Sequence, residues 1–118
     1  MKNTISLKKN YQFMRVYRKG ISVVGKYLIV YCLKNNYDNI RLGITTSRKV
    51  GNSVARNRLR RLIRENYRNL EDEIVIGFDI VFIVRANKNI PNYYEIKKEM
   101  KYLLRKLNMF KNTQDSCE

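Results

Sequence analysis

Residues 54–65 read Val-Ala-Arg-Asn-Arg-Leu-Arg-Arg-Leu-Ile-Arg-Glu, five arginines in twelve positions, broken by aliphatic residues and one asparagine. On a helix with Arg56 as origin, Arg60, Arg64, Asn57, Arg68 and Arg61 fall at about 40°, 80°, 100°, 120° and 140°. Leu62, Ala55, Leu59, Leu70 and Ile63 fall at about 240°, 260°, 300°, 320° and 340°, with Arg58 on one border near 200°. The stretch therefore reads as an amphipathic helix whose leucines anchor it to a sheet and whose arginines form one outward stripe. A merely solvated face usually mixes signs, whereas Arg56, Arg60, Arg64 and Arg68 are four apart and repel by a few tenths of a kcal/mol per pair. Arginine, whose planar fork grips two oxygens at once, points to phosphate as the missing partner.

Working outward, the polar loop Ser47-Arg48-Lys49-Val50-Gly51-Asn52 leads into this helix, which runs to about Leu70 before the acidic cluster Glu71-Asp72-Glu73. Upstream, Leu7 to Lys19 suits a helix with Ser6 as cap, Gly20 as stop, and Phe13 and Tyr17 on one face. Ile21 to Leu33 is strand-like and apolar on both faces, so one face must meet a helix. Asn35 to Asn39 is turn material, and Ile40 to Thr46 reads as an antiparallel hairpin partner of the preceding strand. Downstream, Phe78 to Arg85 is a buried strand by composition. A loop with the only proline, Pro91, precedes a last helix carrying Ile96, Met100, Leu103, Leu104 and Leu107. The expected order is α-β-β-β-α-β-α in a single α+β domain over 1–118, with residues 112–118 as a frayed tail.

Charge narrows the function. The 118 residues hold 25 Lys and Arg against 10 Asp and Glu, a formal net charge of +15, and no acidic residue precedes Asp38. Self-repulsion of that size is relieved by an anionic partner, and nucleic acid leads. Because the two helices of interest are separated by three strands, the chain does not resemble a small helical DNA reader; structured RNA, gripped by its backbone with unpaired bases stacked on aromatics, fits better. Phe13, Tyr17 and Tyr31 supply such rings, although Phe13 reads equally as core. Histidine is absent, which removes imidazole acid-base catalysis and histidine metal sites. The carboxylates do not read as a converging two-metal set, and no phosphate-binding glycine loop is present. Neither a signal-peptide core nor a run of about 18 apolar residues occurs, so no membrane role is expected. Cys32 and Cys117 do not read as a disulfide, which fits a reducing cytoplasm.

Ser47-Arg48-Lys49-Val50-Gly51-Asn52-Ser53-Val54-Ala55-Arg56-Asn57-Arg58-Leu59-Arg60-Arg61-Leu62-Ile63-Arg64-Glu65 resembles the signature of the bacterial ribonuclease P protein subunit, with its Arg-Asn-Arg core. Leu7-Lys8-Lys9-Asn10 with Phe13 and Val16-Tyr17, Ile29-Val30-Tyr31, Arg41-Leu42-Gly43-Ile44 and Phe78 to Arg85 extend the resemblance over nearly the whole chain. It implies a ribosomal-protein-like α/β sandwich with a left-handed β-α-β crossover around the arginine helix, an exception to the usual hand. It also implies an accessory subunit: the catalyst is a large RNA whose magnesium ions hydrolyse one phosphodiester of precursor tRNA and release the 5′ leader. No tightly bound cofactor of the protein itself is implied.

Carried over by position, Arg56, Asn57, Arg58, Arg60, Arg61 and Arg64 are similar to the motif that touches the catalytic RNA and substrate. Arg48, Lys49 and Arg68 extend that surface. Phe13, Tyr17 and Tyr31 are similar to the aromatics of a cleft that holds the single-stranded leader, and Phe110 matches a further cleft ring. Tyr17 departs from the more usual phenylalanine, yet can still stack on a base. The expected assembly is a monomer in a 1:1 ribonucleoprotein with the catalytic RNA, binding precursor tRNA in the cytoplasm. The competing expectation is a ribosomal or RNA-chaperone protein that uses the same domain and stripe to pack RNA.

Overall fold

Phe78–Val84 is the most thoroughly buried strand of the chain, and a strand with apolar residues on both faces belongs in the middle of a covered sheet. The computed structural model, which describes residues 3–111, places it there. The elements are β1 (Thr4–Ser6), α1 (Asn10–Lys19), β2 (Ile21–Val24), β3 (Leu28–Lys34), β4 (Ile40–Thr46), α2 (Ser53–Leu70), β5 (Phe78–Val84) and α3 (Tyr93–Lys106). Short 3-10 turns, Arg48–Val50 and Glu71–Glu73, flank α2. The strands form one sheet in the order β1-β4-β5-β3-β2. The mixed α+β fold expected from the sequence is what forms, but the expected order α-β-β-β-α-β-α lacks the short strand β1 that precedes the first helix; the expected tail, 112–118, and Cys117 lie outside the described residues.

Alternating side chains divide the sheet into two covered faces. Leu28, Val30 and Cys32 of β3, Leu42 of β4 and Ile80, Phe82 and Val84 of β5 pack with Leu59, Ile63, Tyr67 and Leu70 of α2 and Ile96, Met100, Leu103 and Leu104 of α3. On the opposite face Val81 and Ile83 of β5 and Tyr31 and Leu33 of β3 meet Leu7 and, from α1, Phe13, Val16 and Tyr17. Both apolar faces of β3 are thus covered by helices. Burial pushes the free Cys32 thiol above its usual value, as suits an inert packing residue.

The expected β3–β4 hairpin does not form. β5 lies between the two strands, antiparallel to β3 and parallel to β4. The Asn35–Asn39 turn bridges over the start of β5: Asn35 N–H donates to Gly77 O at 2.8 Å, and Gly77 N–H donates to Asn39 O at 2.9 Å. Gly77 has φ +90°, a left-handed conformation suited to glycine. A five-residue turn can join adjacent strands or span the roughly 9.6 Å between strands two apart, so local sequence does not separate the alternatives. The long-range gain from seating β5 with both edges paired does.

The first helix is also shorter than expected. Ser6 ends β1 and is not the cap; Leu7 continues the strand, its N–H donating to Leu42 O at 2.8 Å, and α1 starts at Asn10 after Lys9. Gln12 Oε1 accepts from the Lys8 and Lys9 amides at 2.9 Å each. Gly20 closes the helix as expected. A β-carbon there would stand 2.5 Å from Val16 O and 2.7 Å from Cys32 O.

β1, β4, β5 and β2 all point the same way. The β1-α1-β2 and β4-α2-β5 connections both run in the same direction across the sheet but over opposite faces. Two such crossovers must have opposite hands, so one of them breaks the rule of right-handed connections. The family resemblance assigns the exception to α2.

Candidate nucleic-acid interface

α2 begins where Asn52 caps it, its Oδ1 accepting the Ala55 amide at 2.9 Å. Leu59, Ile63, Tyr67 and Leu70 bury the inward side, while Asn57, Arg58, Arg61, Arg64 and Arg68 are exposed and Arg56 and Arg60 are partly covered. The segregation deduced from 3.6-residue periodicity is realised on the folded helix. Two of the arginines are held. Arg56 Nη1 donates to Gly51 O at 2.7 Å, and Arg60 Nη1 donates to Asn57 Oδ1 at 2.8 Å. Asn57 therefore orients a neighbouring guanidinium within the stripe, and its amide N–H2 stays available to a ligand. Glu65 is the one carboxylate on the helix.

Arg48 and Lys49 lie in the exposed 3-10 turn just before α2, where Ser47 Oγ accepts the Lys49 amide at 3.2 Å. This turn leaves directly from the end of β4, so the two cations lie between that strand and the stripe.

Phe13, Tyr17 and Tyr31 converge on the other face. Their rings form a chain, Phe13 to Tyr17 at 6.4 Å and Tyr17 to Tyr31 edge-on at 5.1 Å. All three are half-buried and pack with Leu7, Val16 and Val81, leaving part of each residue open. Gly43 makes room for this arrangement, since a β-carbon there would stand 2.4 Å from Phe13 Cε1. Burial pushes the Tyr17 phenol above its usual value, Thr45 pulls it down through a side-chain hydrogen bond, and Tyr31 nearby adds to the rise. The ring is thus anchored to β4 at Thr45, three residues before the basic turn begins at Arg48. One strand end joins the aromatic face to Arg48, Lys49 and α2.

Phe110 is not part of this group. It pairs in an isolated bridge with Ile74 and packs on the α2/α3 core, beside an open groove lined by Leu70, Val75, Lys101 and Arg105. The chain leaves α3 on that side of the sheet, and Met109 N–H and Lys111 N–H tie it to Leu104 O and Glu73 O. Position along the sequence could not reveal which face the terminal segment follows.

Two carboxylates are buried and committed. Asp79, wholly buried, receives Arg41 Nε and Nη2 at 2.8 and 2.7 Å and Asn35 Nδ2 at 2.7 Å. Glu71, from the acidic cluster that follows α2, is buried and accepts from the Asn3 amide at 3.0 Å and Thr4 Oγ1 at 2.6 Å. It staples β1 to the end of α2, a role that only tertiary contact reveals. No group of three or more acidic, cysteine or histidine side chains poised for a metal occurs among the described residues. No helix among them is long and apolar enough to cross a membrane.

Residues 1–108 match the family model described as Ribonuclease P. The chain is 45% identical over 109 residues to the ribonuclease P protein component of Alkaliphilus metalliredigens, covering 92% of this chain and 98% of that one. It is 44% identical over 107 residues to that of Clostridioides difficile, covering 90% and 94%. Among solved structures it is similar to the RNase P protein of Staphylococcus aureus, with a TM-score of 0.83 at 36% identity over 90% of this chain and 97% of that one. The RNase P protein of Thermotoga maritima gives 0.75 at 31% identity, over 86% and 96%.

Proposed function

The chain belongs to the ribonuclease P protein family, and from that premise we propose that it acts as an accessory subunit whose RNA partner carries the catalysis. Membership makes it the protein component of a ribonucleoprotein that processes tRNA and a partner of the RNase P RNA. The proposal concerns the division of labour. The protein neutralises phosphate where the catalytic RNA meets precursor tRNA, using Arg48, Lys49, Arg56, Asn57, Arg58, Arg60, Arg61, Arg64 and Arg68. Phe13, Tyr17 and Tyr31 hold the single-stranded 5′ leader by stacking. The observation that carries this reading is that β4 connects the two surfaces: Phe13 packs on its Gly43, Tyr17 hydrogen-bonds its Thr45, and its end leads through Arg48 and Lys49 into α2.

Magnesium belongs to the RNA in this scheme. Among the described residues the two buried carboxylates are already engaged, Asp79 by Arg41 and Asn35 and Glu71 by Asn3 and Thr4. By bringing cations to the RNA surface the protein raises the affinity of that surface for substrate without supplying the reacting groups. One stripe and one aromatic face per chain suit a 1:1 assembly, and a cytoplasmic location follows from the tRNA substrate.

A reconstituted cleavage assay tests the division of labour. The protein is expected to stimulate cleavage of precursor tRNA by the RNA subunit at low magnesium and to have no activity alone. Phe13→Ala and Tyr17→Ala are expected to weaken precursor binding and spare mature tRNA, since each stacked base contributes about 1 to 3 kcal/mol. Cleavage by the protein without RNA would overturn the assignment.

A further inference from the structure

We propose that the outer face of α3 is a second RNA-binding surface, which takes an unpaired segment of RNA beside the arginine stripe of α2. Ile96, Met100, Leu103 and Leu104 are fully buried, which fixes how the helix is turned. With Tyr94 as origin, Arg105, Lys98 and Tyr102 fall at about 20°, 40° and 80° and Lys101 at about 340°, opposite the buried set at about 180° to 280°. Tyr94 is 73% exposed and Tyr102 53% exposed, so neither serves the core. They stand about 12 Å apart along the helix, with cations between and beside them.

Glu95 and Glu99 of α3 fall at about 100° and 140°, bordering Lys98 and Tyr102, and their carboxylates are engaged by other groups. Glu99 reaches to the β2–β3 turn, its carboxylate accepting the amides of Lys26, Tyr27 and Leu28 at 3.0, 2.7 and 2.6 Å. Glu95 accepts the Asn92 amide at 3.0 Å and the Tyr27 hydroxyl at 3.1 Å. Neither forms an ion pair with Lys98, Lys101 or Arg105 among the described residues. Both rings have a defined setting. Tyr94 packs edge-on to Tyr93 at 5.3 Å, and Tyr93 is tied to α2 through Asn69, whose Nδ2 donates to the Tyr93 hydroxyl at 2.9 Å. Lys106 Nζ lies 5.2 Å from the Tyr102 ring centroid.

α2 and α3 pack side by side on one face of the sheet, so their outer faces look the same way. Asp72 and Glu73 share a groove with Lys101 and Arg105, but no ion pair ties up these cations among the described residues. Exposed tyrosines interleaved with such cations match a strand that presents both phosphates and base faces, where a duplex would offer only phosphates. A second copy of this chain is a poor occupant at +15 formal charge. The inference rests on the chain's RNA partnership and is independent of the leader assignment.

The test uses the full-length protein with the RNase P RNA. Lys98→Ala/Lys101→Ala/Arg105→Ala is expected to lower the slope of log K against log salt by about 2. Tyr94→Ala/Tyr102→Ala is expected to weaken binding by about fivefold or more at fixed salt. Ultraviolet crosslinking of the ribonucleoprotein, read by mass spectrometry, is expected to place nucleotide adducts on the peptide bearing Tyr94 or Tyr102. Arg60→Ala/Arg64→Ala, run in parallel, reports on α2 alone, so loss there with unchanged affinity, slope and crosslinks for the α3 variants overturns the proposal and leaves the α2 interface intact. A dimer abolished by Tyr94→Ala/Tyr102→Ala with RNA affinity unchanged overturns it as well.

Discussion

Arg41 and Asp79 lie on adjacent parallel strands and close on each other through two hydrogen bonds, Nε to Oδ1 at 2.8 Å and Nη2 to Oδ2 at 2.7 Å, with the carboxylate wholly buried. The pair locks β4 to β5, and Asn35 adds the turn that bridges them. Removing one charge leaves the other desolvated without a counterion. Asp79→Asn is therefore expected to cost about 3 kcal/mol or more, measured by denaturant unfolding. A catalytic carboxylate would behave differently: activity would vanish while stability and RNA binding persisted, and that result would reopen a nuclease role for the protein itself.

Gly43 and Phe13 make a second prediction. Adding one methyl group at Gly43 drives into the Phe13 ring, and overpacking of this kind costs about 1 to 3 kcal/mol. The displaced ring disturbs the aromatic chain to Tyr17 and Tyr31, whereas α2 on the far face of the sheet is untouched. Gly43→Ala should weaken binding of precursor tRNA to the assembled ribonucleoprotein more than it weakens binding of the protein to the RNA subunit. Equal losses in both equilibria would detach the ring cluster from leader recognition.

Tyr67 supplies a pH dependence. Burial pushes its phenol from 10.0 up to about 12; a hydrogen bond with Thr4 opposes the rise and the neighbouring Glu71 adds to it. The protonated form is favoured in the folded state, so this contribution to stability is complete below pH 10 and is lost as pH rises toward 12. In that window the unfolded chain has already released the proton, and stability falls by about 1 kcal/mol per pH unit. Tyr67→Phe is expected to cost about 1 kcal/mol at neutral pH through the lost hydrogen bond and to show a shallower alkaline decline in urea unfolding. Parallel declines for the two proteins would remove Tyr67 as the group responsible.

Periodicity, composition and charge determined the arginine helix, its leucine anchor and its outward stripe, the burial of β5, and the apolar face of α3, but not the burial of Asn66 and Tyr67 on α2. Each follows from local spacing that only one packing geometry satisfies: leucines at helical intervals need a sheet, and like charges at helical intervals need an anion. The long motif in residues 47–65 carried the family, and the comparisons bear it out. Pairing was another matter. The β3–β4 hairpin, the start of α1 and the placement of Phe110 depended on contacts between residues far apart in the chain. Tertiary structure alone inserted β5 between β3 and β4, drew Glu71 under β1, set Tyr31 of β3 edge-on to Tyr17, and engaged Glu95 and Glu99 with Tyr27 of the β2–β3 turn. The reason is energetic: a turn of five residues tolerates either strand order and a carboxylate either solvent or burial, so the choice falls to the core and to the backbone amides that must be satisfied when it closes.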